Sequence, residues 1–178
     1  LTSKYMLLGS STRRNLELCE TLREKQKRGS LLWVLDKTKT AMGARTLRSY
    51  IEQPLLNKAD MEARLDAVEE LTKDSVSRDE IREYLNPIYD LERLLSKVTY
   101  KTANPRDLIA FRNSLEMLPH IKTVLKGFQK ELLTGIHEDM ESLEDIYALI
   151  DAAIEEEPPL LVREGGIIKD GFNADIDM

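Results

Sequence analysis

The feature that most constrains the fold is the recurrence of apolar residues three and four positions apart along most of this 178-residue chain. This spacing places side chains on one face of an α-helix, whereas a half-buried strand requires strict alternation. The stripes are Ala44, Leu47, Ile51; Met61, Leu65, Val68, Leu71; Leu91, Leu94, Leu95, Val98; Leu108, Phe111, Leu115, Leu118; and Leu143, Ile146, Tyr147, Ile150, Ile154. They predict an all-α, multi-helix fold, with short strands confined to the N-terminus and to residues 158–172.

Capping residues predict where these helices begin. Ser, Thr and Asn side chains accept a hydrogen bond from a free backbone N–H of the first turn, and proline favours the first helical position. The predicted starts are Ser30, Thr40, Asn57, Ser77, Asn104 followed by Pro105, and Ser142 with Asp145 as a weaker capping box. Prolines at 54, 87 and 119 predict helix ends or kinks, because proline lacks an N–H donor.

The two ends of the chain carry weaker helical signals. Residues 4–8 are typical of a short strand, 12–18 fit either a helical turn or a second strand, and 23–29 form a polar loop. After Pro158 and Pro159, two short extended pieces flank Gly165 and Gly166, which predicts a hairpin. These signals divide the chain into three predicted parts. They are an entry segment at 1–29, a helical body at 30–157, and a hairpin with the start of another helix at 158–178. A chain that stops at a helix start is expected to be part of a longer protein.

The charge of −6 is unevenly distributed. Residues 1–57 carry 11 Lys and Arg against 5 Asp and Glu, whereas residues 138–178 carry 2 against 13. An autonomous nucleic-acid-binding module normally has a basic face and a basic overall charge. Such a module is therefore not expected, and Arg13 and Arg14 in the basic third are only weak candidates for a phosphate contact.

Motifs that would support catalysis are missing from the sequence. There is no phosphate-binding Gly-x-x-x-x-Gly-Lys-Ser/Thr loop. His120 and His137 have no clustered metal ligands, the Pro119 break separates Glu116 from His120, and 137–139 is interpreted as a loop. Cys19 and Trp33 fit core positions better than a nucleophile and a base-stacking platform. We therefore expect no catalytic residue, no metal and no cofactor, and hence no enzyme in this segment.

The sequence also predicts a cytoplasmic location. It has no run of about 18 apolar residues that would span a membrane and no signal peptide. A single cysteine, Cys19, cannot form a disulfide framework and fits a reducing compartment.

Several short motifs in order resemble the core (lever) domain of the MutS mismatch-repair family. They are 6–8 (MLL), 12–18 (TRRNLEL), 30–45 (SLLWVLDKTKTAMGAR), 53–56 (QPLL), 64–71 (RLDAVEEL), 90–95 (DLERLL), 104–108 (NPRDL) and 164–171 (EGGIIKDG). Each motif alone is weak, but together they cover almost the whole chain. One departure is Gly9, where the family pattern usually has an acidic residue.

The resemblance implies a mechanical function. The segment would be the first part of the core, ending before the clamp domain, and it would link an ATPase to the DNA-binding clamp. Family members bind mismatched DNA and ATP with magnesium and form homodimers, and the bacterial ones act at the nucleoid. Partners would be the clamp, connector and ATPase domains. In the family a long helix that follows the clamp domain completes the core. Because this segment lacks that helix, an apolar patch would be left uncovered. Arg93 and Asp107 are expected to bridge neighbouring segments. The alternative is a freestanding helical adaptor that binds a partner helix in an apolar groove.

Overall fold

The computed structural model describes residues 4–178, so the first three residues of the predicted entry segment lie outside the described residues. Its main elements are helices, which confirms the predicted all-α fold. They are α1 Ser10–Asn15, α2 Leu31–Leu35, α3 Ala41–Glu52, α4 Lys58–Lys73, α5 Ser75–Leu85, α6 Leu91–Thr99, α7 Pro105–Leu125, α8 Glu131–Asp139 and α9 Glu144–Ala153, followed by a short 3-10 helix at Val162–Glu164. α1 resolves the choice left open at 12–18 in favour of helix.

Four of the predicted caps are confirmed. The side chains of Ser30, Thr40 and Asn57 accept hydrogen bonds from backbone N–H groups in the first turns of α2, α3 and α4. Asn104 forms a full capping box with Asp107, because each side chain accepts a bond from the other's backbone. These interactions satisfy N–H groups that otherwise have no helical partner.

The other two predicted starts are wrong. α5 begins two residues before Ser77, because the Asp74 side chain accepts the Ser77 N–H and thereby caps the helix. α9 begins after Leu143, which has a left-handed φ of 50° and no capping side chain, rather than at Ser142. In both cases a neighbouring residue sets the boundary.

Helix α7 continues through Pro119 to Leu125, so the predicted helix end at this proline is wrong. Residues 137–139, interpreted as a loop, form the last turn of α8, a helix that the sequence reading missed. Both errors have the same cause: burial of Ile121, Leu125 and Leu133 in one core stabilises helices that local signals alone do not predict.

The predicted strands are reduced to two isolated bridges within residues 4–178. Tyr5 pairs with Leu55, and the Met6 N–H donates to the Pro54 carbonyl at 2.7 Å. At the other end, Ile168 pairs with Ile154 at the end of α9.

The predicted hairpin at 158–172 is therefore wrong. Residues 160–164 bend into a 3-10 turn, and the following glycines both have positive φ. Pro158 and Pro159 lack the N–H groups that a hairpin ladder requires. Pairing with α9 half-buries Ile167 and Ile168 against a core instead. Residues 173–177 form a single turn in which Asn173 accepts the Asp175 N–H.

The helical body contains two separate hydrophobic cores, which α7 joins. Core 1 is made by α4, α7, α8 and their connections, and core 2 by α6, α7 and α9. The buried members are Ala67, Ile88, Ile121, Leu125, Phe128 and Leu133 in core 1, and Leu94, Phe111, Leu115, Ile150, Ala153 and Ile154 in core 2. At 1.5 Å per residue, a helix of 21 residues is about 32 Å long. α7 therefore provides a continuous connection between the two cores.

Candidate interaction surfaces

Most of the apolar stripe of α4 faces solvent, which corrects the prediction that all of it is buried. Met61, Leu65 and Val68 are 39%, 65% and 58% exposed. Their spacing of four and three places them on one side of the helix. The core contact comes instead from Ala67, which is buried, and from Leu71, the last residue of the predicted stripe, which packs against core 1. We call the exposed residues Met61, Leu65 and Val68 the α4 strip.

A second apolar surface lies on α2. Leu32 is buried, whereas Leu31, Trp33, Val34 and Leu35 are all exposed. This corrects the interpretation of Trp33 as a core residue. A five-residue helix in which four large apolar side chains face outward is a typical protein-contact surface, because soluble proteins rarely leave such clusters in water.

The total accessible surface of the chain also indicates that parts of it contact other protein. Its accessible area is 12,535 Å², whereas a compact monomer of this mass exposes about 8,800 Å². The exposed side chains of the α4 strip and the α2 surface contribute to this excess. The chain therefore has faces suited to packing against other protein.

The two candidate phosphate contacts differ in their surroundings. Arg13 lies 3.8 Å from the Glu52 carboxylate, and its Nε is buried without a hydrogen-bond partner among the described residues. Arg14 is exposed. Both line a groove of about 420 Å³ together with Arg48, which also pairs with Glu52. Glu52 thus offsets part of the positive charge that would attract a phosphate.

Cys19 lies on the same groove and is half-buried. Its thiol donates a hydrogen bond to the Glu52 carboxylate at 3.4 Å. Burial raises the pKa of the Cys19 thiol, and the hydrogen bond and charge of Glu52 raise it further, against the opposing effect of Arg48 and Arg13. Because the thiolate is the reactive form, this environment disfavours nucleophilic chemistry.

Asp107 and Arg93, the two residues predicted to bridge neighbouring segments, differ in whether they form such a bridge. Asp107 links α6 to α7, because its carboxylate accepts from the Lys97 ammonium at 3.3 Å while it caps α7. Arg93 is exposed and has no acidic partner within ion-pair distance among residues 4–178. Its backbone N–H donates to Asp90, and Asp90 pairs with Arg45 of α3 instead.

Arg45 forms a two-bond ion pair with Asp90 on the surface. The guanidinium donates to both Asp90 oxygens at 2.7 and 2.9 Å and to Glu92 at 3.1 Å. The hydrogen bonds from Arg45 hold the pKa of the Asp90 carboxyl at about 2. They tie α3 to the start of α6, which the sequence reading did not anticipate because the partners are 45 and 47 residues apart.

A further missed residue is Arg112, which is only 5% exposed. It donates two bonds to the Glu156 carboxylate, at 2.7 and 2.8 Å, and one to Asp151 at 3.2 Å. The same bonds raise the pKa of Arg112 and lower that of Glu156. A signal existed in the sequence, since Arg112 lies four residues after Leu108 and three before Leu115, on the edge of a buried stripe.

Histidine and acidic side chains do not form a metal site in the part of the chain that the structure describes. His120 is exposed and stacks on Tyr84 with ring centroids 5.1 Å apart. His137 lies in the last turn of α8, next to Glu138 and Asp139 in the sequence. Within residues 4–178, no helix is both long enough and apolar enough to cross a bilayer.

These features define a class: a helical structural domain with two cores and uncovered apolar faces that suit contacts with further domains. The family model of MutS domain III matches residues 11–175, and the chain belongs to this family. The DNA mismatch repair protein MutS of Lachnoclostridium phytofermentans is 63% identical over 177 residues, covering 99% of this chain and 19% of that protein.

Other MutS proteins show the same relation. That of Ruminiclostridium cellulolyticum is 54% identical and that of Acetivibrio thermocellus is 51% identical, and each match covers 98% of this chain and 20% of the relative. The chain therefore spans about a fifth of the length of these relatives.

Proposed function

We propose that this chain is the lever segment of a mismatch-repair protein, which carries an ATP-driven conformational change to a DNA-binding clamp. The observation that carries the proposal is the uncovered α4 strip in a chain whose relatives continue well beyond the matched segment. Other domains of such a protein would cover the strip and act on it. A displacement would then pass from one core to the other along α7, because this helix packs in both cores.

Within this proposal, ATP and magnesium bind outside the chain. The absence of a phosphate-binding loop from the sequence supports this placement of the nucleotide. Mismatched DNA would likewise be contacted mainly elsewhere, since Glu52 partly neutralises Arg13 and Arg48. The complete protein would work in the bacterial cytoplasm as a homodimer.

The freestanding helical adaptor has less support. Its binding surface would be the same α4 strip, but the relatives carry this segment within proteins about five times as long. Such a setting favours contacts within one protein over capture of a separate helix.

A chimera tests the lever directly. The matching segment of the Lachnoclostridium phytofermentans relative would be replaced by this chain, and Leu65→Asn would disrupt the α4 strip. ATP turnover without DNA and binding of mismatched duplex without ATP should stay near parental values. The ATP-triggered change in duplex binding should be strongly reduced, because coupling between the two sites passes through the strip.

The matched control is Asp66→Asn, which makes the same product residue on a polar face of the same helix. It should leave all three measurements unchanged. A Leu65→Asn chimera that couples ATP to DNA as well as the parent would contradict the proposed function.

A further inference from the structure

Within residues 4–178 the chain crosses between the two cores three times, and each crossing contains a proline or a residue with a left-handed φ. The chain passes from core 1 to core 2 at residues 86–90, which separate α5 from α6 and contain Pro87. It returns along α7, where Pro119 lies between Leu115 of core 2 and Ile121 of core 1. It passes to core 2 again at 140–143, where Leu143 has a left-handed φ of 50°.

Pro119 weakens α7 between the residues that belong to core 2 and those that belong to core 1. Proline has no N–H, so the Leu115 carbonyl lacks its usual partner four residues on. Helices bend sharply at such positions rather than at regular turns. The interruption falls between the α7 residues of the two cores, so a bend there would move one core relative to the other.

Space for this bend exists beside Pro119. A cleft of about 190 Å³ separates α7 from the start of α9, and its walls include Pro119, Glu116 and Tyr147. The cleft is open to solvent, so a bend of α7 toward it would meet no packed side chains there. We call the boundary between core 1 and core 2 the junction. Leu91 and Leu118 pack across it, because they contact both cores.

The ion pairs of Arg45 also connect the two cores. α3 packs on core 1 through Met42, and Arg45 of the same helix binds Asp90 and Glu92 at the start of α6, which belongs to core 2. A bend that separates the cores on this side would have to break these bonds.

We propose that the chain bends at a hinge through Pro119, so that the two cores move as separate bodies, and that the Arg45 ion pairs latch the hinge. The use of this motion within a lever rests on the proposed function. The bend itself is a property of the chain, and it can be measured without ATP or DNA.

Pulsed electron–electron distance measurements test the hinge. Spin labels at Glu138→Cys on α8 and Ala148→Cys on α9 report across the junction, in a Cys19→Ser background. Labels at Glu62→Cys and Glu138→Cys report within core 1. The cross-junction distance distribution should be broader than the within-core one, and Pro119→Ala should narrow it to the within-core width.

The latch has its own matched pair of variants. Arg45→Ala should broaden the cross-junction distribution further, whereas Arg48→Ala should not, because the acidic partner of Arg48 within residues 4–178 is Glu52 of its own helix. Cross-junction and within-core widths that are equal in the parent chain would overturn the hinge. Equal effects of the two arginine variants would overturn the latch, even if Pro119→Ala did not fold. If the chain acts as a lever but has no hinge, ATP would still change duplex binding in the chimera. Failure of the hinge proposal is therefore distinguishable from failure of the proposed function.

Discussion

Replacement of Arg112 by Met tests how α9 and the chain after it are held on α7. The Arg112 side chain is 6% exposed, whereas its partners Asp151 and Glu156 are 49% and 69% exposed. The buried cation therefore depends on carboxylates that water also reaches. Met retains much of the side-chain volume but none of the hydrogen bonds.

The expected loss follows from this asymmetry. Hydrogen bonds to charged groups contribute about 1.5–3 kcal/mol each in favourable cases, and breaking a fully buried ion pair costs about 3–5 kcal/mol. Here both carboxylates would be rehydrated after the substitution, which offsets part of the loss. We expect Arg112→Met to lower the free energy of unfolding by about 2 kcal/mol.

Urea unfolding, extrapolated linearly to water, measures this change. Arg93→Met is the matched control, because Arg93 is exposed, and its effect should stay within about 0.5 kcal/mol. Glu156→Ala should be more destabilising than Arg112→Met, since it leaves the guanidinium buried without its two-bond partner. A neutral or stabilising Arg112→Met, or a milder Glu156→Ala, would refute this reasoning.

Three further predictions concern a cap, a carboxylate and a thiol. Asn104→Ala should lower the free energy of unfolding by about 1 kcal/mol, measured in the same urea assay, because it removes the cap of α7. The folded-state pKa of Asp90 is about 2, below the ordinary 3.8, so its stabilising contribution is full above the ordinary value and is lost as pH falls through about 2. Carbon-detected NMR titration should show that value, and it should move toward 3.8 in Arg45→Ala; an unmoved value would contradict the pairing. Cys19 should react with a thiol reagent more slowly at neutral pH in the folded chain than in urea, and equal rates would rule out the proposed protection.

Features that depend on neighbouring residues could be predicted from the sequence. The caps at Ser30, Thr40 and Asn104 follow from a side chain that reaches three residues along the chain. The all-α fold follows from the spacing of apolar residues in the same way. Pro119 shows the limit of such rules, because core packing on both sides keeps α7 helical through it.

Features that depend on which faces meet could not be predicted in this way. The α4 strip has the spacing of a core stripe, and the periodicity cannot say whether a stripe packs within this chain or against another domain. The small side chain of Ala67 gives little hydrophobic signal, yet it forms the actual core contact. Arg45 and Arg112 find partners 39 to 47 residues away, and no local pattern specifies those pairs.

The measurement that tests the central claim most directly is chemical labelling of the α4 strip with and without the rest of a MutS chain. Leu65→Cys would be compared with Asp66→Cys, both in this chain and in the chimera, with peptide-resolved mass spectrometry to distinguish native cysteines. Both thiols should react readily in the chain, because both positions are exposed. In the chimera, Leu65→Cys should be protected while Asp66→Cys stays reactive. Equal reactivity of the two positions in the chimera would contradict the claim that other domains pack on the α4 strip.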